Sequence, residues 1–414
     1  MTYDVCIIGG GPAGLAAALA VKEEGGTPLI IEREGELGGI LKQCIHDGFG
    51  LVRFKEKLSG PEYAERFIEK VEEQGIETLI FAFVTKIEKT SQGFTLKVVT
   101  KDGIKTIETK KLILATGCRE RTAKQVSIHG TRPWGVLTAG ACQNFVNIQG
   151  VMPTKRCVIL GSGDIGLIMA RRITLEGGKV LGVFEAKPTP SGLTRNIRQC
   201  LDDFGIPLYL SRTVTKVFGD GRLTAVEVSD VDERMNPIKG TEKIIECDGL
   251  ILSVGLIPEN ELGEKLGIEI SKTAKGAKCD ENFETTVDGV FTAGNATHVN
   301  DLVDYVSESG EIAGRAAMKE RDEKTLIDVE ADENTLYVVP ETVNKTAGKC
   351  VMYFRSKGDF ENRVAVITVD GKEIFSKRFS RLRPPEMERI IVDFGKADLS
   401  EKSEIRFRLK EAEL

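Results

Sequence analysis

Two glycine runs in this sequence have the spacing needed to hold a nucleotide. MTYDVCIIGGGPAGLAAALA places Gly9, Gly11 and Gly14 in a G-x-G-x-x-G pattern, and CVILGSGDIGLIMARR places Gly161, Gly163 and Gly166 in another. In such a loop the first glycine allows a tight turn. The second lets the backbone approach a pyrophosphate, and the third lets the helix lie against the strand. A helix starting at Pro12 would aim unpaired N–H groups and its positive end at the anion, and proline at that position gives up no needed hydrogen bond. Each loop is followed by an apolar strand ending in an acid, Glu32 and Glu185, suited to ribose hydroxyls. Glu185 also opposes a 2′-phosphate, which predicts NAD over NADP, with Lys187 and Arg195 a little further on. Two complete loops predict two dinucleotides bound at once and a hydride passed between them.

The elements that must position these loops are legible as a repeat. DVCIIGGGPAGLAAALAVKEEGGTPLIIERE and CVILGSGDIGLIMARRITLEGGKVLGVFEA each read as buried strand, glycine turn, helix, Gly-Gly stop and second strand. Continuous apolar strands mean a sheet covered on both faces, hence parallel strand–helix–strand units. Residues 76–114 and 206–254 each alternate apolar and polar positions, as a half-exposed antiparallel meander does. After about residue 325 only short strands follow, with a tight hairpin predicted at Asp370-Gly371. The expected fold class is α/β: two Rossmann-like doubly wound dinucleotide-binding domains plus a C-terminal all-β, sandwich-like domain.

The chain has 414 residues and a net charge of −6 with both signs well mixed, which disfavours nucleic acid as a partner. No apolar run is long enough to span a bilayer, and the N-terminus lacks the basic stretch of a signal peptide. Nine cysteines without any C-x-x-C spacing read as free thiols in a reducing compartment, so a cytoplasmic location is expected and no metal site. The three histidines, His46, His129 and His298, exclude any mechanism needing a histidine cluster.

Over about residues 1–325 the sequence resembles the two-dinucleotide-binding-domain flavoproteins of the pyridine nucleotide–disulfide oxidoreductase superfamily. The resemblance implies FAD on the first loop, held by Gly9, Gly11, Pro12, Ala13, Gly14, Glu32 and Arg33. It adds Gly38, Gly39 and Ile40 of the following GELGGI run, Val84, and Ala115, Thr116 and Gly117 of LILATG. Gly294 and Asn295 of FTAGNATHVN match the closing FAD segment, where the family usually has Gly-Asp; asparagine still offers a carbonyl acceptor. The helix after it is implied to aim its N-terminus at the flavin's pyrimidine edge and favour the charge gained on reduction. NAD is implied on Gly161, Gly163, Asp164, Ile165, Gly166 and Glu185, with Val254 and Gly255 of DGLILSVG beside the nicotinamide. The implied domains are 1–118 with 280–325 for FAD, 119–279 for a connector and NAD, and 330–414 for the β-domain. ILKQCIHDGFG, GTRPWGVLTAGACQNFVN and PSGLTRNIRQCLDDFGIPLYL resemble flavoprotein subunits that accompany glycerol-3-phosphate dehydrogenase, and are similar to subunits of hydrogen cyanide synthase and opine oxidase.

A disulfide reductase needs a cysteine pair against the flavin. Cys44 follows Gly39 without a second cysteine nearby, and the family's C-terminal His-Glu dyad is missing, so a dithiol reductase is not expected. Cys44 reads as a packing residue or as a single redox cysteine, and His46 as a structural histidine or as a proton donor near the flavin. The expectation is an FAD-dependent NADH:acceptor oxidoreductase, an NADH oxidase where oxygen is the acceptor. Its partners would be NADH and either a dehydrogenase subunit of the glycerol-3-phosphate type or a second copy of the chain. The alternatives are an accessory or substrate-oxidising subunit of an amino-acid or opine dehydrogenase, and a non-catalytic flavoprotein scaffold.

Overall fold

The computed structural model describes residues 2–320 and 324–412. The chain forms two compact units, Met1–Cys118 with Pro258–Leu414, and Arg119–Ile257.

In the first unit the strand Thr2–Ile8 lies parallel between Pro28–Ile31 and the end of Gly103–Leu114, with Ile8 opposite both Ile31 and Leu114. Alternate side chains leave a strand on opposite faces. Val5 and Ile7 therefore bury against helices, while Cys6 and Ile8 bury against the meander residues Phe94, Leu96 and Val98. The meander runs Phe83–Thr90, Gly93–Thr100, Gly103–Leu114, and its last strand enters the parallel sheet. Val290–Thr292 adds on the far side of that strand.

The second unit repeats the plan. Arg156–Leu160 lies parallel between Lys179–Glu185 and Gly249–Leu252. Cys157 and Ile159 bury against helices, and Val158 and Leu160 against the meander Arg212–Asp220, Arg222–Asp230, Lys243–Glu246.

Residues 258–279 depart from expectation. The sequence assigns them to the NAD domain, but Leu262, Leu266, Ile268, Ile270 and Ala277 pack with Leu112, Leu114 and Val290 of the first unit. Their apolar positions are too sparse to show which sheet they cover. The expected FAD-domain end at 325 and the expected β-domain end at 414 take in residues 321–323 and 413–414, which lie outside the described residues.

The C-terminal strands form a five-stranded and a three-stranded sheet around a shared core. The Asp370-Gly371 turn has φ of 50° and 81°, as a tight hairpin requires. This β-region is not set apart from the FAD-type unit. In Lys349–Ser356, Cys350, Met352 and Phe354 enter the sandwich core, while Val351 and Tyr353 enter the core of the first unit, joined there by Tyr337 and Met387. A sheet buried on both faces holds firmly, each fully buried large side chain contributing roughly 1.5–3 kcal/mol.

The helix Val303–Ala317 crosses Pro12–Glu23 closely. A Cβ on Gly310 would lie 2.1 Å from the Ala13 carbonyl oxygen, and one on Gly314 2.5 Å from that of Ala17. Glycine at these positions sets how near the two helices come.

Candidate functional site

The first glycine loop is fixed by backbone. Gly9 N–H donates to Ile31 O at 2.9 Å, and Gly9 has φ of 109°. A Cβ there would meet the Ala115 carbonyl oxygen at 2.3 Å, so only glycine fits. A Cβ on Gly14 would sit 1.9 Å from Gly9 O, which makes Gly14 the close helix–strand contact. Gly11 caps the helix Pro12–Glu23 without any side-chain hydrogen bond, and the first turn carries no acid. Its N-terminal N–H groups thus have no side-chain cap, and such an end suits an anion.

Gly38 N–H donates to Gly10 O at 2.8 Å and pins the second glycine run beside the first. A Cβ on Gly39 would come within 3.0 Å of Gly11 Cα, while Gly11 itself has nothing nearer than 3.9 Å. The two loops therefore face each other across a slot that side chains would fill. The buried Glu32 carboxylate accepts from Gly10 N at 2.7 Å and Glu34 N at 2.8 Å. The Glu32 carbonyl accepts from Ala82 N, two residues before the buried Val84. Arg33 and Ile40 are exposed.

The other FAD-type segments converge on the same loop. Ala115 N–H donates to Ile8 O, and Gly117, with φ of 73°, has no atom within 4 Å of a Cβ position. Thr116 Oγ1 donates to Glu259 O at 2.6 Å. Gly294 has φ of 64°, and a Cβ there would lie 2.9 Å from Ala13 Cβ. Its N–H donates to Ser309 Oγ at 2.8 Å. Asn295 follows, its Oδ1 accepting from Asn300 N at 3.0 Å and its Nδ2 donating to Cys118 Sγ at 3.5 Å. Segments far apart in the chain thus meet around Gly9–Gly14, and this cradle fits a dinucleotide.

The second loop has the same frame. Gly161 N–H donates to Phe184 O at 2.7 Å, and its φ is 92°. A Cβ there would meet Ser253 O at 2.1 Å, and one on Gly166 would meet Ser253 Cβ at 2.6 Å. Gly163 caps the helix Asp164–Leu175 without a side-chain bond. Asp164 is turned aside, its Oδ1 accepting from Leu193 N and Asn196 Nδ2 at 2.9 and 2.7 Å, and Ile165 is half-buried. The buried Glu185 carboxylate accepts from Ser162 N and Oγ, Ser191 Oγ and Lys187 N at 2.6–3.1 Å. Val254 packs on the sheet core, and Gly255 is exposed with open space at its Cβ position.

Sequence reasoning missed three hydroxyls here. Ser253 Oγ accepts from Gly166 N at 3.1 Å, and Ser162 and Ser191 line Glu185. Ser162 sits between two fingerprint glycines and could have been singled out. Ser253 lies 87 residues from Gly166, and nothing local marks it.

Of the two expected redox side chains, Cys44 fits its role poorly. Cys44 is half-buried, its thiol donates to Ile40 O at 3.4 Å, and burial pushes its pKa up to about 12. A redox cysteine needs the opposite shift. His46 lies against Phe49, ring centroids 5.0 Å apart, with Nδ1 3.3 Å from Asp47 O. All nine cysteines are free. Cys142, on the helix Ala139–Asn147, is fully buried. Burial, and secondarily the Glu120 carboxylate, push its thiol up to about 12. The residue one turn before it, where a C-x-x-C pair would need its second thiol, is Ala139. His298 is 2% exposed, packed against Tyr337 and Tyr353, and neither ring nitrogen has a hydrogen-bond partner among the described residues. Burial, with Arg355 nearby, lowers its pKa to about 3, so it stays neutral. Among the described residues no cluster of three His, Cys, Asp or Glu side chains could hold a metal ion, and no helix is long and apolar enough to cross a membrane.

Two doubly wound units, each with a glycine loop, a buried acid ending the second strand and a meander, define a two-dinucleotide flavoprotein fold. Residues 3–317 match the profile of the pyridine nucleotide-disulphide oxidoreductases, and the chain belongs to that family. It is an FAD- and NAD(P)H-dependent oxidoreductase. It is 28% identical over 338 residues to a thioredoxin reductase of Listeria innocua, which covers 80% of this chain and 97% of that protein. It is 24% identical over 335 residues to an opine oxidase subunit of Agrobacterium tumefaciens, covering 76% of this chain but only 64% of that protein's length. Among solved structures, T. acidophilum thioredoxin reductase superposes with a TM-score of 0.62 at 24% identity, covering 77% of this chain and 98% of that one. A NAD-dependent persulfide reductase from A. fulgidus superposes at 0.60 and 18%, covering 89% and 68%. At these identities the structural likeness speaks to the fold.

Proposed function

We infer that the chain is an NADH:acceptor oxidoreductase that takes a hydride from NADH and hands electrons onward without a protein dithiol. In this reading Gly9, Gly11, Gly14, Glu32, Gly38, Gly39, the 115–117 turn and the 294–295 turn hold FAD. Gly161, Gly163, Gly166, Glu185 and the 254–255 turn hold the nicotinamide coenzyme. FAD supplies the two-electron chemistry; the chain's own residues bind, orient and exclude water. The observation that carries the reading is the thiol inventory: nine free cysteines, with Cys44 and Cys142 both held protonated. Electrons then leave for an acceptor outside the chain.

The finer reading makes it the electron-handling member of an assembly, partnered by a glycerol-3-phosphate-dehydrogenase-type subunit, and an NADH oxidase where oxygen is the acceptor. The relatives named as subunits, of opine oxidase and of the hydrogen cyanide synthase of Pseudomonas protegens, support assembly with a partner. The chain spans 64% and 60% of their lengths. Those same names favour the second reading, an accessory or substrate-oxidising subunit of an amino-acid or opine dehydrogenase. The buried Glu185 supports NADH over NADPH, and the nine free thiols support a reducing, cytoplasmic setting.

Anaerobic mixing of FAD-loaded protein with NADH, NADPH, glycerol 3-phosphate or an opine separates these readings. Rapid bleaching of the flavin's visible absorption by NADH is expected. Bleaching by glycerol 3-phosphate or an opine, and not by NADH, would move the assignment to the second reading.

A further inference from the structure

The helix Val303–Ala317 begins just after the Gly294-Asn295 turn and carries acids in one line: Asp301 before it, then Asp304, Glu308 and Glu311. Residues three and four apart share a helix face. Two segments supply partners to that face. From the loop after Gly39, Val52 N and Arg53 N donate to Asp304 at 3.4 and 3.3 Å, and the Arg53 guanidinium pairs with Glu311. From the C-terminal β-region, Arg389 and Tyr353 OH meet Glu308 at 2.5–2.7 Å. Arg355 Nη2 donates to Asp301 at 2.6 Å, and Met387 N to the other Asp301 oxygen at 2.5 Å.

Arg355 is the informative residue. The three-stranded sheet already docks through apolar groups, Val351, Tyr353, Tyr337 and Met387. Placing an arginine in that seam costs desolvation, which apolar packing would avoid. Its fork is fully engaged: Nε donates to Tyr337 OH at 3.1 Å, Nη1 to Pro384 O at 2.9 Å and Nη2 to Asp301. Asp301 stands at the positive end of the helix, where a carboxylate cancels the field that the helix would lend to another anion. A guanidinium on that carboxylate removes Asp301's share of the cancellation, the first-turn Asp304 keeping its own, and partly buried charges are weakly screened.

We propose that Arg355 is a positioning residue by which the C-terminal β-region tunes the flavin: it neutralises Asp301 and so lets the helix end favour the charge the flavin gains on reduction. This rests on the FAD reading above. Three variants test it, with the midpoint potential of FAD-loaded protein read by dye equilibration and the melting of FAD-stripped protein read alongside. Arg355→Met should lower the potential, by the equivalent of about tenfold weaker binding of reduced relative to oxidised flavin, or ~30 mV for a two-electron couple. Arg355→Lys, which keeps the charge and loses the fork, should hold the potential near that of the parent. Asp301→Asn should raise it, and combined with Arg355→Met should bring it back. If Arg355→Met does not fold, the lysine and asparagine variants decide. Unchanged potentials with only lower melting overturn the proposal and leave Arg355 a structural anchor. A protein that takes up no FAD instead overturns the FAD reading, and this proposal with it.

Discussion

The two glycine loops share a frame and differ in how they are enclosed. In each, the first glycine N–H bonds the end of the neighbouring strand, Ile31 O or Phe184 O, and packs under a returning turn, Ala115 or Ser253. The first loop is then closed by distant chain: Gly38-Gly39 bonds back to Gly10, and the Gly294 turn and the 303–317 helix cross over it. The second is finished locally, by hydroxyls of Ser162 and Ser191 around Glu185 and by the 191–196 turn on Asp164. A site assembled from segments as far apart in the chain as Gly9 and Gly294 suits a resident cofactor. A site closed mainly by residues 162–196, with Ser253 returning beneath it, suits a coenzyme that comes and goes.

The largest expected effects come from putting a Cβ into each loop. Gly9→Ala forces an alanine to φ of 109° and against Ala115 O. It should yield protein without flavin, or insoluble protein. Gly161→Ala meets the same clash at Ser253 O but should keep its FAD and lose NADH-dependent bleaching by about 100-fold or more, since strained φ and overpacking together cost several kcal/mol. Flavin content and stopped-flow reduction distinguish the two, and loss of flavin from both would erase the contrast.

Next comes the acid pair. Glu185→Gln removes a charged acceptor, worth about 1.5–3 kcal/mol, so NADH should bind roughly 10- to 100-fold more weakly while NADPH gains relative to it. Titration of both coenzymes against the parent checks this. An unchanged NADH/NADPH ratio would remove Glu185 from coenzyme selection.

His298 predicts a smaller, pH-dependent effect. Its pKa is about 3 when folded, against 6.5 for the ordinary side chain, so the unfolded chain binds a proton over that window and the folded chain does not. Its contribution to stability is complete above pH 6.5 and is lost as pH falls, by up to about 1.4 kcal/mol per pH unit. His298→Phe should flatten that acid limb in melting experiments from pH 7 to 4; an identical slope would count against the buried neutral imidazole. The smallest effect belongs to Cys44. With its thiol held protonated up to about 12, Cys44→Ser should leave NADH reduction of flavin and any peroxide turnover unchanged, and loss of peroxide turnover would restore its redox role.

The contrast between the loops also marks what could be read from sequence. Glycine spacing and the terminal acids were legible because sterics and charge act locally there. Ser253 was not, because its role depends on a strand 87 residues away returning under Gly166. Residues 258–279 were misassigned for the same reason, since sparse apolar positions such as Leu262 and Ile268 do not say which core receives them. The docking of the β-region did leave a trace: CVMYF in Lys349–Ser356 is apolar at every position, the pattern of a strand buried on both faces. Grouped with the other short strands after residue 325, that run reads as part of a separate sandwich-like domain. Arg355 left none, because its partner Asp301 is 54 residues away.

The central claim, one electron-accepting cofactor and no protein dithiol, is tested most directly by counting. Anaerobic titration of FAD-loaded protein with NADH should bleach the flavin completely at about one equivalent per bound FAD, two electrons filling the only redox centre. A requirement for about two equivalents would mean a second two-electron acceptor within the chain, a disulfide the described cysteines do not form, and would contradict the account.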